Sequence, residues 1–360
     1  MSQTALKSDT LHENLVRELS RMAPGEKFMT VRDIMRRYNV SQLIVDRAVN
    51  RLCKDGKLVS FARRGLFVPQ FVRPTPAEQP TLLVAVPDWV SPDIDEIKAE
   101  LERLAPLHPE TRLLLHRFDY RYAIPPELPL AAENVRLLLM MPGRVDTLEA
   151  RDIEALNVFR RNGPLMVLCH HLNNFNVPSV GLDDMFAGNC AAHHLYHAGH
   201  RKIAVLMSEP QSSVILDRVN GVLNYARLHG MQAELIDCEI PGGEVPLERV
   251  YRKMSRIIEQ GFDFTALAGV SGDSLAGALN ACHNHGLAIP AQLSIVTIGN
   301  LRTTELFYPP LDTICVGIGR QVSDAVEQLL AGKNESVLVP PELVKRGSVR
   351  IISESSNLLK

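Results

Sequence analysis

The sequence predicts an α/β protein with a small head of three helices and a hairpin, and a larger body of two doubly wound parallel sheets. Three observations support this division. The apolar spacing changes near residue 80 from short helical stripes to alternating strands and helices. Residues 73–80 contain three prolines and no apolar periodicity. The charge also changes sign: residues 1–73 hold 14 Lys/Arg and 7 Asp/Glu, whereas residues 74–360 hold 25 and 34.

Three short helices are predicted at the start of the head. The first has one apolar stripe, which includes Leu11, Leu15 and Leu19, and Pro24-Gly25 ends it. The second begins at Thr30, because Thr30 and Asp33 have the spacing of a capping box. The third begins after Ser41, a favourable N-cap residue.

The third helix is followed by a predicted hairpin. Its core positions are Ile44, Val45, Ala48, Val49 and Leu52, and Gly56 ends it. Residues 57–61 and 66–68 are predicted strands, with the turn at 63–65. Three helices and a hairpin within about sixty residues are typical of a winged helix-turn-helix.

The body shows apolar runs suited to parallel strands, separated by helical segments. The predicted strands are 82–86, 113–115, 135–141, 165–169, 203–207, 235–240, 266–270 and 293–298. The predicted helices are 92–105, 147–161, 184–198, 215–229, 247–260 and 273–286. We therefore expect a head at 1–72, a proline-stiffened linker at 73–80 and a two-lobed body at 81–360.

Composition excludes several classes of protein. The 360 residues are 46% hydrophobic and 22% charged, as in a globular protein. No apolar run approaches the length of a membrane span, and residues 1–7 lack a signal-peptide core, so we expect a cytoplasmic protein. The six cysteines form no CxxC pair and are expected to be reduced. Nucleotide-binding glycine motifs are absent from the sequence, and we expect neither an enzyme nor a cofactor.

The head has the features of a DNA-binding surface. Residues 1–73 carry a net charge of +7, and the third helix leaves polar and basic residues on its outer face. Cations contact phosphates, and the start of a recognition helix usually reads bases. The predicted DNA-binding residues are Arg32, Ser41, Gln42, Arg47, Arg63 and Arg64. The alternative is a solvated helix face with a charged turn.

These residues also resemble the GntR-type winged helix. The matching positions are 24–27, Arg32, Val40-Ser41, Ala48, Asp55-Gly56, Gly65 and Phe67-Val68. The resemblance implies double-stranded operator DNA as the partner. The family usually has arginine where Gln42 and Asp46 stand, so its usual operator sequence is not implied.

The body resembles the effector-binding region of LacI/GalR-type regulators, which is related to periplasmic sugar-binding proteins. The matching blocks include 83–88 (LVAVPD), 178–184 (PSVGLDD), 199–204 (GHRKIA), 217–222 (DRVNGV), 272–279 (GDSLAGAL), 309–314 (PPLDTI) and 340–348 (PPELVKRGS). The resemblance implies a periplasmic-binding-protein-like fold with a ligand cleft between its lobes. The combination with a GntR-type head resembles the arabinose-responsive type of repressor.

The same resemblance implies the ligand-binding residues. Arg218 matches an arginine that reaches ligand hydroxyls or carboxylates, with a surface arginine as the alternative. Asp273 matches an acidic residue that accepts from sugar hydroxyls, with a helix N-cap as the alternative. Asp88, Trp89 and Asn300 are further candidates, Trp89 as an aromatic platform or as a packed tryptophan. Asn300 lies where the family usually has a Gly-Tyr/Phe-Asp-Asp segment, so a characteristic carboxylate is absent.

A histidine cluster invites a metal interpretation, because His193 and His197 are one helical turn apart. No glutamate completes a metalloprotease motif, and His194 and His200 also occur in the LacI/GalR pattern. We interpret these histidines as structural or solvated, and we expect no metal.

Together these patterns predict a ligand-responsive bacterial transcription regulator, more readily a repressor than an activator. It would bind operator DNA as a homodimer and respond to a sugar, a sugar derivative or another small polar metabolite. The alternatives are a periplasmic solute-binding protein, a regulator that has lost effector binding, and an enzyme on a two-lobed scaffold.

Overall fold

The computed structural model describes residues 3–19, 22, 25–54, 57–61, 65–68, 79–89, 91–125, 128, 134–143, 145–170 and 172–352. Most of the predicted linker and the predicted turn residues Arg63 and Arg64 lie outside these ranges. Over the ranges given, no helix combines the length and the apolar character needed to cross a bilayer.

The head consists of three helices and a two-stranded hairpin. They are α1 (Gln3–Leu19), α2 (Val31–Tyr38), α3 (Gln42–Lys54), β1 (Val59–Phe61) and β2 (Gly65–Phe67). The two strands pair antiparallel. All five predicted elements are therefore present, within two residues of the predicted strand limits.

Local sequence explains how α2 begins and how the head packs. The Thr30 hydroxyl accepts from the Asp33 N–H, and the Asp33 carboxylate accepts from the Thr30 N–H, so the predicted capping box is confirmed. The head has one apolar core. It includes Leu11, Leu15, Ile34, Ile44, Val45, Ala48, Val49, Leu52, Leu58 and Leu66. The five predicted core positions of α3 are all buried.

Lobe 1 of the body contains a six-stranded sheet in which every pair is parallel. Its strand order is β13-β7-β6-β5-β3-β4. The strands are β3 (Thr81–Pro87), β4 (Arg112–Phe118), β5 (Val135–Met140), β6 (Leu165–Leu168), β7 (Ser179–Leu182) and β13 (Val337–Val339).

Lobe 2 contains a second six-stranded sheet, parallel except for its edge strand β14. Its strand order is β14-β12-β11-β10-β8-β9. The strands are β8 (Lys202–Met207), β9 (Gln232–Asp237), β10 (Ala266–Gly269), β11 (Ser294–Gly299), β12 (Asp312–Cys315) and β14 (Glu342–Val344).

Helices cover both faces of each sheet. They are α4 (Pro92–Leu104), α5 (Ala150–Asn162), α6 (Asp184–His197), α7 (Ser213–Leu228), α8 (Leu247–Gln260), α9 (Leu275–Asn284), α10 (Leu301–Thr304) and α11 (Ile318–Leu330). In lobe 1, α4 and α11 pack on one face and α5 on the other. In lobe 2, α6 and α7 pack on one face and α8 and α9 on the other.

Strand alternation produces these layers. Along β3, Leu82, Val84 and Val86 join the core beneath α4, whereas Leu83 and Ala85 join the core beneath α5. Because both faces are covered, all seven residues of β3 are buried. The prediction of doubly wound lobes is confirmed.

The chain passes between the lobes three times. It crosses from β7 to α6, from β12 to α11 and from β13 to β14. Helix α11 therefore packs on lobe 1 although it follows a strand of lobe 2. Each lobe is built from segments that are distant in sequence.

Two predictions about the body differ from the structure. The strand predicted at 235–240 lies at Gln232–Asp237, because Cys238 and Ile240 are apolar residues buried in the loop after the strand. Strands β7, β12, β13 and β14 and helices α10 and α11 were not predicted.

Candidate functional site

The two lobes are bridged by polar side chains that follow the carboxyl ends of β3 and β11. Asn300 comes directly after β11, and Asp93 and Glu96 lie at the start of α4, after β3. The Asn300 Nδ2 donates to Asp93 Oδ1 at 3.2 Å and to Glu96 Oε2 at 2.5 Å. Ligands of open α/β sheets bind outside these strand ends. The candidate site is therefore the cleft between the lobes.

Local sequence places each of these side chains. Ser91 caps α4 by accepting from the Asp93 N–H, and Pro92 occupies the first turn, so α4 starts at the cleft. Asn300 caps α10 through its Oδ1, which accepts from the Arg302 N–H at 2.9 Å. Both the nitrogen and the oxygen of the Asn300 amide are therefore hydrogen-bonded, which agrees with the residue's exposure of only 3%.

A second bridge joins the lobes at Asp146. This carboxylate follows β5 in lobe 1 and accepts from the Ser213 hydroxyl at 2.6 Å and from the Ser213 N–H at 3.2 Å. Ser213 is the first residue of α7 in lobe 2, so Asp146 lies at the positive end of that helix. The buried His170 ring lies 3.3 Å from Asp146 Oδ1 and 2.8 Å from the Val145 carbonyl oxygen.

Arg218 projects from α7 and holds two elements of lobe 2 together. Its Nε donates to Asp184 Oδ1 at 2.7 Å, and its Nη1 donates to the Val270 carbonyl at 3.0 Å. Asp184 begins α6, and Val270 follows β10. Both charged side chains are largely buried, at 14% and 10% exposure.

Two glycines allow α6 and α7 to approach closely beside this ion pair. A Cβ added at Gly221 would overlap the Met185 carbonyl oxygen, and a Cβ added at Gly188 would overlap the Arg218 carbonyl oxygen. These are backbone atoms, so the helices themselves would have to move apart. The position of Arg218 thus depends on the absence of a side chain at both sites.

We expect Gly221→Ala to destabilise the body by about 1–3 kcal/mol, the usual cost of overpacking. Urea unfolding of the full chain measures this change. Gly242→Ala is the matched control, because a Cβ there meets no atom within 4 Å. Equal unfolding free energies for the two variants would contradict the close-packing argument.

Carboxylates dominate the electrostatics of the cleft. The pKa of Asp93 is raised to about 6, chiefly by burial and also by the nearby charges of Asp273 and Glu96, against the lowering effect of the Asn300 hydrogen bond and of Arg218. Burial also raises the pKa of Glu209, which accepts from the Ser271 hydroxyl at 2.8 Å. Ionised carboxylates are thus disfavoured inside the closed cleft.

The structure brings Arg218, Asp273 and Asn300 together with Asp93, as their electrostatic interactions show. Asp88 and Trp89 belong to a different cluster on lobe 1. Asp88 is 63% exposed and pairs with Arg117 at 3.1 Å. Arg117 also donates to the Trp89 carbonyl, and the Trp89 ring lies 6.4 Å from that of Tyr120. A ligand-binding role for Asp88 and Trp89 stays a prediction.

In the head, the predicted DNA-binding residues that the structure describes are all exposed. They are Arg32 on α2 and Ser41, Gln42 and Arg47 at α3. Asp46 is partly buried, which moves its charge away from the most exposed surface of the helix. Arg63 and Arg64 lie outside the described residues.

The histidine cluster has structural contacts. His194 Nε2 lies 2.7 Å from the buried Asp312 Oδ2, and the fully buried His200 Nδ1 lies 2.7 Å from the Thr265 hydroxyl. The His193 and His197 rings contact each other at a tilt of 50°, with centroids 4.2 Å apart. Within the ranges that the structure covers, no group of His, Cys, Asp or Glu is arranged to hold a metal ion.

The sequence analysis did not identify several residues of the cleft. Asp93 and Glu96 were part of a predicted helix but were not singled out, although Ser91-Pro92 marks a helix start just after a strand. Asp146 and Ser213 carry no motif. Their pairing depends on how the lobes meet, which local sequence does not encode.

Comparison with known proteins supports this architecture. Residues 192–349 match the periplasmic binding protein-like domain family. The HTH-type transcriptional repressor CytR of Escherichia coli K12 is 25% identical over 343 residues, which cover 91% of this chain and 98% of that protein. The HTH-type transcriptional regulator GalR of E. coli K12 is 28% identical over 193 residues, covering 52% of this chain and 56% of GalR.

Solved structures share the fold. The E. coli transcriptional repressor AscG superposes with a TM-score of 0.59 and 20% identity, covering 75% of this chain and 99% of that one. A LacI family regulator from Weissella paramesenteroides, solved with bound glucose, gives a TM-score of 0.61 at 19% identity. The match covers 76% of this chain and 99% of that one. A LacI family regulator from Arthrobacter, solved with lactose, gives a TM-score of 0.60 at 20% identity. The match covers 76% of this chain and 100% of that one.

Proposed function

We infer that this chain is a transcription regulator of the LacI/GalR type, in which the two-lobed body binds a small effector and the head binds DNA. The observation that carries this function is the match to a repressor along 91% of the chain, joined to a body whose lobes meet at a polar cleft. No enzymatic role is needed to account for the cleft.

We propose a sugar or sugar derivative as the effector class. Two regulators of the same fold were solved with glucose and with lactose. In this chain, Arg218, Asp273 and Asn300 supply the donors and acceptors that recognise hydroxyl groups in such clefts. An effector can change DNA affinity only by binding one arrangement of the lobes more tightly than the other.

For the head we propose a winged helix-turn-helix of the GntR type. Its support is the order of three helices and an antiparallel hairpin, with the exposed residues Arg32, Gln42 and Arg47 on two neighbouring helices. A homodimer would present two such heads to the two halves of a near-palindromic operator. Repression is the proposed mode of regulation.

We expect Arg32→Ala to weaken binding to the operator by at least about 1 kcal/mol, or about fivefold, because it removes a DNA contact. Fluorescence anisotropy with labelled duplex at fixed salt measures the change. Arg320→Ala, an exposed arginine of the body, is the control. Unchanged affinity would remove Arg32 from the interface.

Two measurements test the function as a whole. Salt-sensitive binding of the full chain to duplex DNA supports a regulator, whereas a solute-binding protein would lack it. A thermal-shift screen against sugars then tests effector binding, since a ligand at a hundred times its Kd raises stability by about 2.7 kcal/mol. DNA binding without any ligand response would indicate a regulator that has lost its effector.

A further inference from the structure

We propose that Tyr120 of lobe 1 and the turn at Gly242-Gly243 of lobe 2 form a clasp, which closes the mouth of the cleft and separates when the lobes open. The proposal rests on the proposed function, because it concerns how an effector reaches the cleft between the lobes. Tyr120 Oη lies 3.7 Å from the position that a Cβ of Gly243 would occupy. The tyrosine hydroxyl is therefore in van der Waals range of the other lobe.

The strand order places this contact at the edge of the cleft farthest from the hinge. The three crossings between the lobes involve β7, β12, β13 and β14, the two outermost strands at one edge of each sheet. Tyr120 follows β4 and Gly243 follows β9, which are the last strands at the opposite edges. Rotation about the crossings therefore separates this contact further than the two polar bridges, which follow the inner strands β11 and β5.

Hydrogen bonds fix the turn that carries Tyr120 on lobe 1. The Tyr122 N–H donates to the Asp119 carbonyl at 3.0 Å and closes the turn. The Asp119 carboxylate accepts from the Arg121 N–H at 3.1 Å and from the Arg121 Nε at 2.9 Å. The Trp89 ring also lies 6.4 Å from the Tyr120 ring. Tyr120 is thus held at the tip of a preformed turn, although it is 40% exposed.

The opposing turn on lobe 2 is equally well defined. The Glu244 N–H donates to the Pro241 carbonyl at 3.2 Å, and Gly243 has a φ of +84°, as in the third position of a type II turn. The Glu244 carboxylate accepts from the Arg249 Nε at 2.6 Å, which ties the turn to α8. Because both turns are preformed, neither has to be ordered when the clasp closes, which lowers the entropic cost of closure.

A clasp at the mouth stabilises the closed arrangement of the lobes, so its loss makes opening more frequent. The Ser213 N–H reports opening, because it donates to Asp146 Oδ2 of the other lobe at 3.2 Å. Ser213 is the first residue of α7, where an N–H has no partner within the helix. Its protection from hydrogen exchange therefore depends on the bridge across the cleft.

The first test compares hydrogen exchange of the Ser213 amide in the full-length wild type, Tyr120→Ala and Tyr122→Ala. We expect exchange at least about twofold faster in Tyr120→Ala, from the usual strength of an aromatic contact. Tyr122→Ala is the matched control and should exchange like the wild type, because Tyr122 lies two residues away and is 41% exposed. Since Ser213 belongs to the other lobe, its exchange reports opening rather than a local change at the substituted turn.

A second variant removes the clasp from the side of lobe 2. Deletion of Gly242 and Gly243 shortens the turn, and Trp89, the single tryptophan of the chain, reports the effect from lobe 1. We expect stronger quenching of Trp89 fluorescence by acrylamide, because Tyr120 is then less firmly held beside the indole ring. Gly242→Ala is the control, since a Cβ at that position meets no atom within 4 Å.

Three outcomes would overturn the clasp. They are unchanged Ser213 exchange in Tyr120→Ala, equally accelerated exchange in Tyr122→Ala, and unchanged Trp89 quenching in the deletion variant. Salt-sensitive operator binding is measured on the same samples. If it persists alongside any of these outcomes, the clasp is wrong and the regulator function stands. If the wild type lacks it while the expected exchange and quenching are found, the regulator function is wrong and the clasp stands.

Discussion

Replacing Asp312 with alanine is expected to lower the free energy of unfolding by about 3–5 kcal/mol, the usual loss when one partner of a buried charged network is removed. The Asp312 side chain begins β12 and is almost fully buried. Its Oδ2 contacts His194, and its Oδ1 accepts from the N–H groups of Arg346, Gly347 and Ser348 at 2.7, 2.7 and 3.1 Å.

The size of this effect follows from the groups left behind. Burial alone would raise the pKa of Asp312, but the hydrogen bonds from His194 and the three backbone donors lower it overall, so the carboxylate is ionised at neutral pH. Its removal leaves these donors buried without their acceptor. Residues 346–348 would also lose the three backbone hydrogen bonds that they donate to the Asp312 side chain.

Urea denaturation of the full chain measures the change, and Asp312→Asn separates charge from hydrogen bonding because it keeps one acceptor oxygen. Asp263→Ala is the control: this carboxylate is 75% exposed and pairs with Lys202 at the surface. A similar, small loss in the two alanine variants would show that the Asp312 network contributes little to stability.

Replacing Asp93 with asparagine is expected to stabilise the closed protein at pH 7.5 by up to about 3 kcal/mol, because two pKa units correspond to that energy. The folded pKa of Asp93, about 6, lies above its ordinary value of 3.8. Protonation therefore favours the folded state. That stability is fully present below about pH 4 and is lost as the pH rises through 6.

The surrounding groups give this prediction its direction. Glu96 on the same helix and Asp273 from lobe 2 oppose the ionisation of Asp93, whereas Arg218 favours it. Cys169 also lies within electrostatic range of Asp93, and the pKa of its thiol is raised by burial. The wild type should thus become less stable as the pH rises from about 4 to about 6, and Asp93→Asn should lose that part of the pH dependence.

Thermal unfolding between pH 4 and 8 checks this result, with Asp95→Asn as the control on the same helix turn. Parallel pH profiles for the wild type and Asp93→Asn would contradict a raised pKa at this position. A lower melting temperature for Asp93→Asn at every pH would show instead that the charged hydrogen bond to Asn300 outweighs the cost of burial.

The fold could largely be predicted from the sequence, because the apolar residues show clear helical spacing in the helices and continuous runs in the buried strands. Buried parallel strands such as β3 and β8 appear as continuous apolar runs, and capping signals at Thr30 and Ser41 mark helix starts. Strand β7 was missed because it is only four residues long and contains Ser179 and Gly181. Helix α11 was missed although its apolar residues have helical spacing, and Gly317 rather than a polar cap precedes it.

The candidate site was predicted less completely. Arg218, Asp273 and Asn300 were identified through family resemblance, and they do meet in space. Asp93 and Asp146 were missed, because each acts on the lobe opposite its own and is more than sixty residues from its partner. Trp89, the single tryptophan, was a candidate aromatic platform for the ligand, but its ring packs near Tyr120 on lobe 1.

The three crossings between the lobes have a consequence for synthesis on the ribosome. Lobe 1 receives α11 only after the chain has been made through residue 330, although its strands β3 to β7 are complete by residue 182. At a synthesis rate of about 5–20 residues per second, the apolar surface that α11 covers stays uncovered for on the order of ten seconds. The head has no such delay, so the nascent chain would carry a folded head before either lobe is complete.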